Sequence, residues 1–353
     1  MTTIWVSTRK GLLGFDDEGT LKETHFLGDP VVNCLPDPRD GRLYASLNLG
    51  HFGPKLRVRE AGQAEWKELT TPQFPENEQD KASLVQIWTL VAGHPDRPGH
   101  LYAGCIPAGF FESTDGGNTW NLCTSLWEDA RRKEWFGGGY DQAGIHSILV
   151  HPSNPNHLTI GISCGGVWIS QDGGKTFEAA GKGLLATFMP PERQEDPNIQ
   201  DPHCVSICHD YPEVVWVQHH CGVFRSTDGG RNFKTCAFEP YQFGFAVQAH
   251  PKDPNQAWFI PATKDECRVP VNRHLVVLHT GDGGKTYQLT DRGLPNSPSF
   301  DLVYRHGLAA DSNGKRLVFG STTGGLWFSS DGGHQWQNFS SHLPPIYAVT
   351  FAN

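Results

Sequence analysis

Short apolar segments, separated by turns rich in Gly, Asp, Asn and Pro, recur along the whole chain. Segments such as HLYAGC, HLTIGISC and QAWFIPA are too short for typical helices and lie between turn residues, a pattern typical of β-strands. The sequence therefore predicts an all-β protein built from many short strands.

Five octets with a shared pattern set the spacing of these strands. They are STDGGNTW (113–120), SQDGGKTF (170–177), STDGGRNF (226–233), TGDGGKTY (280–287) and SSDGGHQW (329–336). Their central aspartates are Asp115, Asp172, Asp228, Asp282 and Asp331, with spacings of 57, 56, 54 and 49 residues. In a chain of 353 residues, a period of about 50 predicts about seven repeats.

We expect each repeat to form four strands, called A to D in chain order, with the DGG turn of the octet between strands C and D. The chain termini complete one repeat, because IYAVTFAN at 346–353 has the pattern of a strand A and residues 1–27 supply three more strands. The sequence thus predicts one domain, residues 1–353: a seven-bladed β-propeller whose closing blade combines 1–27 with 346–353.

The octets resemble the Asp-box (BNR) repeat of sialidases, xyloglucanases and sortilin-type propellers. Phrases between Asp201 and Leu343, among them DPHCVSICHD, WVQHHCGVFRSTDGG and KDECRVPVNRH, resemble bacterial exo-α-sialidase-like proteins, also called BNR-repeat glycosyl hydrolase-like proteins. The resemblance implies a propeller and defines no activity. Physically, the Asp carboxylate can accept N–H groups of its own turn, and the glycines permit positive φ.

Composition excludes several classes of partner. The chain has 29 Lys+Arg against 38 Asp+Glu and a net charge of −9, so a nucleic-acid partner is not expected. It has no apolar run of membrane-spanning length. The nine cysteines include no CxxC pair, which disfavours a disulfide framework. The first residues lack the pattern of a signal peptide, and we expect a cytoplasmic protein.

The strand order predicts which face carries a site. In a propeller, the D-to-A links and the B-to-C hairpins open on one face, and the octet turns lie on the other. The long links at about 71–86, 124–145 and 180–203 and the enlarged hairpins at 48–55 and 262–274 all belong to the face without octets. Extra loop length on one face predicts a functional site there.

Several histidines fall on this face and could bind a divalent transition metal, since neutral imidazole is a common ligand for Zn, Fe, Cu or Ni. His146 and His203 begin strand A of adjacent blades, and His51 lies in the first-blade hairpin. His219 and His220 share a B-to-C tip, where neighbouring rings point to opposite sides, so one of the two is expected to face the axis, and His220 is the assigned ligand. The alternative is that each ring caps a strand independently. The sequence gives no indication of an organic cofactor.

Charged and aromatic residues supply the rest of the predicted site. The predicted catalytic residues are Glu266, Asp265, Arg305 and His306, with Glu266 or Asp265 as general base. We expect Arg305 and His306 to lie on strand A of the sixth blade. The predicted substrate-binding residues are Arg9, Lys264, Arg268, Tyr140 and Phe243.

The leading interpretation is a small-molecule hydrolase or lyase with an axial pocket, a His-bound divalent metal and a polar or anionic substrate. A non-enzymatic binding or assembly propeller is an alternative. A sialidase-like glycosidase is another, but the Arg-Ile-Pro motif of that family is absent before the first octet, and Arg268-Val269-Pro270 resembles it only in letters. The sequence leaves the oligomeric state open.

Overall fold

The computed structural model describes residues 3–76 and 82–352, so residues 77–81 of the first long link lie outside the described residues. The strands in these ranges form seven four-stranded antiparallel sheets, which are the blades of a β-propeller. The predicted fold is therefore confirmed.

The blades follow the chain, and their strands are numbered in chain order. Blade 1 contains β4 (Val31–Pro36), β5 (Leu43–Asn48), β6 (Pro54–Arg59) and β7 (Trp66–Leu69). Blade 2 contains β8 (Gln86–Ala92), β9 (Leu101–Ile106), β10 (Phe110–Ser113) and β11 (Asn121–Leu122). Blade 3 contains β12 (Ile145–Val150), β13 (Leu158–Ile162), β14 (Gly166–Ser170) and β15 (Glu178–Ala180).

The remaining blades repeat this order. Blade 4 contains β16 (Pro202–Cys208), β17 (Tyr211–His219), β18 (Gly222–Ser226) and β19 (Phe233–Cys236). Blade 5 contains β20 (Gly244–Ala249), β21 (Ala257–Pro261), β22 (Val277–Thr280) and β23 (Gln288–Thr290). Blade 6 contains β24 (Leu308–Ala310), β25 (Leu317–Gly320), β26 (Leu326–Ser329) and β27 (Gln337–Ser340).

The closing blade joins the two ends of the chain, as predicted. It contains β28 (Ile346–Ala352), β1 (Thr3–Thr8), β2 (Gly11–Phe15) and β3 (Leu21–His25). Strand β1 pairs on one side with β28 and on the other with β2, so Val6 lies opposite both Val349 and Leu13. The backbone hydrogen bonds between β1 and β28 therefore join the two ends of the chain and close the ring of blades.

The first strand of every blade lies innermost, because these strands contact one another around the ring from β4 to β28. The core lies between neighbouring blades. Trp168 of blade 3 packs with Phe110 of blade 2, and Trp258 of blade 5 packs with Phe319 of blade 6. Burial of such large side chains contributes about 1.5–3 kcal/mol each, and it is repeated at successive blade interfaces.

Each octet forms the turn between the third and fourth strands of its blade. In the octet at 170–177, Asp172 accepts the backbone N–H of Thr176 at 2.9 Å and the Ser170 hydroxyl at 2.8 Å. The other four octets have equivalent bonds. The backbone N–H of Gly173 donates to the Asn156 carbonyl in the first turn of the same blade at 2.8 Å. The octet turns and the A-to-B turns therefore share one face.

In the described residues, the D-to-A links and the B-to-C hairpins contain only short helices. They are α1 (Thr124–Trp127) and the 3-10 turns Gly50–Phe52, Ala130–Glu134, Pro191–Arg193, Pro197–Ile199 and Val271–Arg273. Within residues 3–76 and 82–352, no helix is long and apolar enough to cross a bilayer. All nine cysteines are free thiols.

The start of blade 6 differs from the prediction. Arg305 and His306 were assigned to its inner strand, but β24 begins only at Leu308. The Gly307 N–H donates to the Tyr304 carbonyl at 2.7 Å and closes a turn ahead of the strand. This turn removes residues 304–307 from the sheet, so these residues are available for contacts across the propeller axis.

Candidate functional site

Two cavities open among the D-to-A links and B-to-C hairpins, on the face without octets. The larger has a volume of about 770 Å³, and the residues lining it include Trp88, Tyr140, Arg268, Arg305, His306 and Tyr347. The smaller has a volume of about 380 Å³, and the residues lining it include His220, Phe243, Lys264, Asp265 and Glu266. Most of the candidate residues selected from the sequence therefore line one of these two cavities.

Residues 304–307, here called the axial segment, cross the centre of the propeller. His306 Nε2 donates to the His146 carbonyl in blade 3 at 2.7 Å, and the His306 carbonyl accepts the Val349 N–H of the closing blade at 2.9 Å. The Arg305 carbonyl also lies 3.7 Å from the Cys204 thiol of blade 4. The axial segment thus joins blades on opposite sides of the ring and carries two polar side chains into the larger cavity.

Arg305 is a buried cation held between aromatic rings. Its guanidinium carbon lies 4.7 Å from the Trp88 ring centre and 5.7 Å from that of Phe245. Among the described residues, its Nε and Nη2 atoms have no hydrogen-bond partner. Burial lowers the pKa of the guanidinium, which reflects the cost of keeping a charge away from water. Arg305 thus lines the larger cavity, while these two nitrogen atoms are themselves buried.

A second polar group lies beside the smaller cavity and consists of Asp201, His203 and His220. One ligand-type atom from each residue lies within 4.8 Å of the other two. Asp201 Oδ2 is 3.3 Å from His203 Nε2 and 3.4 Å from His220 Nδ1. Asp201 directly precedes β16 and His203 is the second residue of that strand, so the two residues are only two positions apart in the sequence.

Neighbouring groups fix the orientation of Asp201 and His203. His203 Nδ1 lies 2.7 Å from the Gly244 carbonyl, which only accepts, so Nδ1 carries a proton and Nε2 faces the carboxylate. The His203 ring stacks on Phe245 at 4.5 Å. Asp201 Oδ1 accepts the Cys164 backbone N–H at 3.1 Å. These three contacts fix the His203 ring and the Asp201 carboxylate in the positions that bring His203 Nε2 to Asp201 Oδ2.

The charges in this group reinforce one another. Although burial opposes ionisation of Asp201, the surrounding His203, His220 and Arg305 side chains hold the pKa of its carboxyl well below the usual range. The hydrogen bond to Asp201 raises the pKa of His220. A buried carboxylate that stays ionised beside two imidazoles is suited to bind a cation.

The structure does not bring two of the predicted metal ligands to this group. His146 Nδ1 is 2.8 Å from the Ser147 hydroxyl, and its buried Nε2 has no partner in the part of the chain that the structure describes. Burial lowers the pKa of His146 well below the usual value. His51 is exposed and contacts Phe52 edge-on at 5.5 Å between ring centres. The third member of the group, beside His203 and His220, is instead Asp201, to which the sequence analysis gave no role.

The predicted catalytic carboxylates lie at the smaller cavity in different environments. Asp265 Oδ1 accepts from Arg268 Nη2 at 2.6 Å, and Arg268 Nη1 donates to the Tyr304 hydroxyl at 3.4 Å. Glu266 is 77% exposed and lies 3.6 Å from Lys264 Nζ. Asp265 therefore positions Arg268 between the two cavities, while Glu266 is free to face a bound molecule.

One predicted substrate-binding residue lies outside both cavities. Arg9 is exposed at the tip between β1 and β2, and its backbone N–H donates to the Pro345 carbonyl at 2.9 Å. Conversely, Gln86, Tyr304 and Tyr347 line the larger cavity without having been predicted. No local motif marks them, because each reaches the cavity from a different blade.

No protein-family model and no curated protein matches the chain. Among solved structures, a GH74 xyloglucanase from Xanthomonas campestris is 15% identical with a TM-score of 0.69, covering 96% of this chain and 52% of that one. An ancestral GH74 enzyme is 14% identical with a TM-score of 0.62, covering 99% and 39%. YCF48 from Cyanidioschyzon merolae is 11% identical with a TM-score of 0.54, covering 89% and 87%.

These similarities show that the chain has the fold of known β-propellers. The chain spans about half the length of the GH74 xyloglucanase and 39% of the ancestral GH74 enzyme. At these identities the likeness concerns the fold, and the chemistry has to be argued from the side chains of this chain.

Proposed function

We propose that this protein is a metal-dependent hydrolase or lyase that acts on a polar or anionic small molecule, and that its five octets are structural Asp boxes. The observation that carries the proposal is the convergence of His203 Nε2 and His220 Nδ1 on Asp201 Oδ2. This convergence lies on the face of the propeller away from the octets.

The protonation of His203 favours a cation at this point. Because Nδ1 donates to the Gly244 carbonyl, a neutral His203 ring points its Nε2 lone pair at an ionised carboxylate. Two lone pairs facing one another repel, and a divalent ion between them removes the repulsion. Two ligand atoms on a tetrahedral zinc ion lie about 3.4 Å apart, close to the observed distances of 3.3 and 3.4 Å.

The smaller cavity gives the ion a route to substrate. His220 lines this cavity together with Lys264 and Glu266, so coordination positions left open by the protein would face these residues. An ion with two His ligands and one carboxylate can polarise a carbonyl or activate a water molecule. Glu266 is then the general base, and Lys264 binds negative charge on the substrate.

The structural neighbours support the hydrolase part of the proposal, since two of them are GH74 enzymes. Glycoside cleavage therefore belongs among the reactions to be assayed. The alternatives from the sequence, a binding or assembly propeller and a sialidase-like glycosidase, make different predictions: neither requires the Asp201 group to bind a metal.

Metal content is the direct test. Protein purified without a His tag is analysed for Zn, Fe, Cu and Ni, before and after chelation and reconstitution. We expect about one equivalent in the wild type and in H51A, the matched control, because His51 lies outside the group. We expect loss of metal in D201N, H203A and H220A while their circular dichroism spectra stay unchanged.

Two results would contradict this proposal. Wild-type protein that takes up no transition metal on reconstitution excludes the metal centre. Retained stoichiometry in D201N and H203A shows that the ion binds elsewhere. If metal is bound, chromogenic esters and glycosides are assayed with and without chelator, and turnover that survives chelation argues for metal-independent chemistry.

A further inference from the structure

Arg268 lies in the B-to-C hairpin of blade 5 and lines the larger cavity. Its Nε and Nη2 atoms both donate to Asp265 Oδ1, at 3.0 and 2.6 Å, and Nε also lies 3.1 Å from the Asp265 carbonyl. The Phe245 ring centre lies 5.3 Å from the guanidinium carbon. Asp265 and Phe245 therefore fix the plane of the guanidinium and cover its Nε–Nη2 side.

The Nη1 end of this guanidinium is only weakly bonded. Among the described residues, the hydrogen-bond partner of Nη1 is the Tyr304 hydroxyl, at the long distance of 3.4 Å. Nη1 and Nη2 form the terminal edge of the group, whose two parallel N–H groups match the two oxygens of a carboxylate. The Arg268 side chain is 34% exposed. Because Asp265 covers the opposite side, the terminal edge is the part open to the larger cavity.

The charges around the larger cavity favour an anion. Arg268 and Arg305 both line it, and among the described lining residues Asp29 is the one carboxylate. Asp29 is exposed, so water and salt screen its charge. Asp265 pairs with Arg268 and Asp201 attracts Arg305, but neither carboxylate lines this cavity. The buried Arg305 therefore adds positive potential without touching a ligand, since Coulomb attraction needs no contact.

Aromatic side chains form much of the cavity wall, and they indicate what the anion is attached to. Phe52, Trp88, Tyr140, Tyr304 and Tyr347 reach the cavity from different parts of the chain. Phe52 is 76% exposed and Tyr140 is 42% exposed, so both have ring surface that a bound ring could cover. A volume of about 770 Å³ is within the range of small-molecule sites. An inorganic anion would leave these rings in contact with water.

We propose that the larger cavity binds an aromatic carboxylate, whose carboxylate accepts the terminal N–H groups of Arg268 and whose ring packs beside Phe52 and Tyr140. One terminal edge matches a singly charged carboxylate better than a doubly charged phosphate. The site is separate from the proposed metal centre, because His220 lines the smaller cavity and Arg268 the larger one. The binding proposal therefore does not depend on the metal.

The test uses benzoate, 4-hydroxycinnamate and indole-3-acetate as probes. The primary amides of the same three acids are the neutral counterparts, acetate is the carboxylate without a ring, and inorganic phosphate is the simple anion. Binding is measured by calorimetry and by the shift in melting temperature. We expect at least one aromatic carboxylate to bind, with its amide, acetate and phosphate at least about tenfold weaker, since charge-assisted hydrogen bonds contribute at least that factor.

The Arg268→Met variant removes the charge and keeps an apolar chain beside Phe245, so the aromatic carboxylate should bind at least about tenfold more weakly. Arg193→Met is the matched control. Arg193 is 38% exposed and pairs with Asp196 three positions away, as Arg268 pairs with Asp265, but it lines neither cavity. Arg193→Met should bind the probe like the wild type.

The Phe52→Ala variant tests the ring contact without disturbing the core, because Phe52 is 76% exposed. It should weaken the aromatic carboxylate about threefold or more and leave acetate unchanged. If Arg268→Met loses its wild-type circular dichroism spectrum, Phe52→Ala decides the matter: weaker binding supports the site, and unchanged binding overturns it.

Three other results would overturn the proposal: no binding by any of the three aromatic acids at millimolar concentration, amides that bind as tightly as their acids, or unchanged binding in a folded Arg268→Met variant. Repeating the titration after chelation keeps this site apart from the metal centre. Binding that survives chelation supports the Arg268 site, and binding that disappears shows that the carboxylate binds to the metal.

Discussion

On the octet face of the propeller, each central aspartate accepts hydrogen bonds from its own turn, and the same bonds recur in five blades. On the opposite face, Arg305 and His146 carry buried nitrogen atoms without partners, and Asp201 faces two imidazoles. Both faces are built from loops joining the same strands, short on the octet face and longer on the opposite face, so the strand framework does not cause the difference.

The comparison separates aspartates whose hydrogen bonds are completed by their own turn from an aspartate that faces two imidazoles of its own blade. The central aspartate of each octet accepts its hydrogen bonds within eight residues, so it contributes to folding and needs no ligand. Buried donors and acceptors left unpaired cost free energy, and a chain retains them where function requires them. Substitutions on the octet face should therefore lower stability, whereas those in the cavities should mainly alter binding.

Glycine substitutions should give the largest contrast in stability. Gly174, the second glycine of an octet, has φ +90°, and an added Cβ would lie 2.8 Å from Phe110 Cε1 of the preceding blade. Gly50, beside the larger cavity, has φ +59° with no atom within 4 Å of such a Cβ. We expect Gly174→Ala to cost about 3 kcal/mol, from strain and overpacking together, and Gly50→Ala about 1 kcal/mol.

Urea unfolding measures both variants against the wild type. Equal losses at the two positions would contradict the comparison, because they would show that the octet face tolerates added volume as well as the cavity face does. A change in m-value in one variant would signal an altered unfolded state, and the comparison would then rest on melting temperatures.

The octet aspartates should also give the fold a defined response to acid, smaller than the glycine effect. Backbone and side-chain hydrogen bonds from Thr286 lower the pKa of Asp282 to about 2, against about 3.9 in an unfolded chain. Because the folded pKa is the lower one, the ionised carboxylate stabilises the protein above about pH 4, and this stabilisation is lost as the pH falls towards 2.

Calorimetric melting of wild type and Asp282→Asn tests this response. We expect the variant to melt below the wild type at pH 6, with the difference shrinking between about pH 4 and pH 2. A difference that stays constant over this range would mean that the carboxylate charge is unimportant and that the loss comes from altered turn geometry.

The two faces also differ in how far the sequence predicted them. Each octet is local, since Ser170, Asp172 and Thr176 interact within one turn, so its position and its role could be predicted from the letters alone. The strand count followed from the octet spacing. The pairing of β1 with β28 followed because the two chain ends supplied complementary parts of one repeat.

The candidate site depends on contacts between distant residues, and the sequence predicted it only in part. His203 and His220 were selected because they begin a strand and end a hairpin, and Asp201 could have been added because it stands two positions before His203. The contact of His306 with the His146 carbonyl, 160 residues away, has no local signal. It arises because the turn at Gly307 releases the axial segment from the inner strand, which an apolar pattern does not reveal.

The smallest expected effect on stability comes from two exposed glutamates, one on each face. Glu178 lies 3.8 Å from Arg231 of an octet, and Glu266 lies 3.6 Å from Lys264 at the smaller cavity. Surface ion pairs contribute little, so Glu178→Gln and Glu266→Gln should each change the free energy of unfolding by less than about 0.5 kcal/mol. Both glutamates are exposed and each lies near one cation. Any difference between the two variants therefore reflects their different places in the fold.

Turnover should separate these two variants where stability does not. If Glu266 is the general base, Glu266→Gln keeps the metal and loses about a hundredfold in kcat, whereas Glu178→Gln keeps both metal and kcat. The assay uses the substrate identified by metal-dependent turnover, with metal content measured on the same samples. Equal kcat values would remove Glu266 from the mechanism while leaving the Asp201 group in place. Loss of metal in Glu266→Gln would instead indicate that the Glu266 carboxylate binds the ion directly.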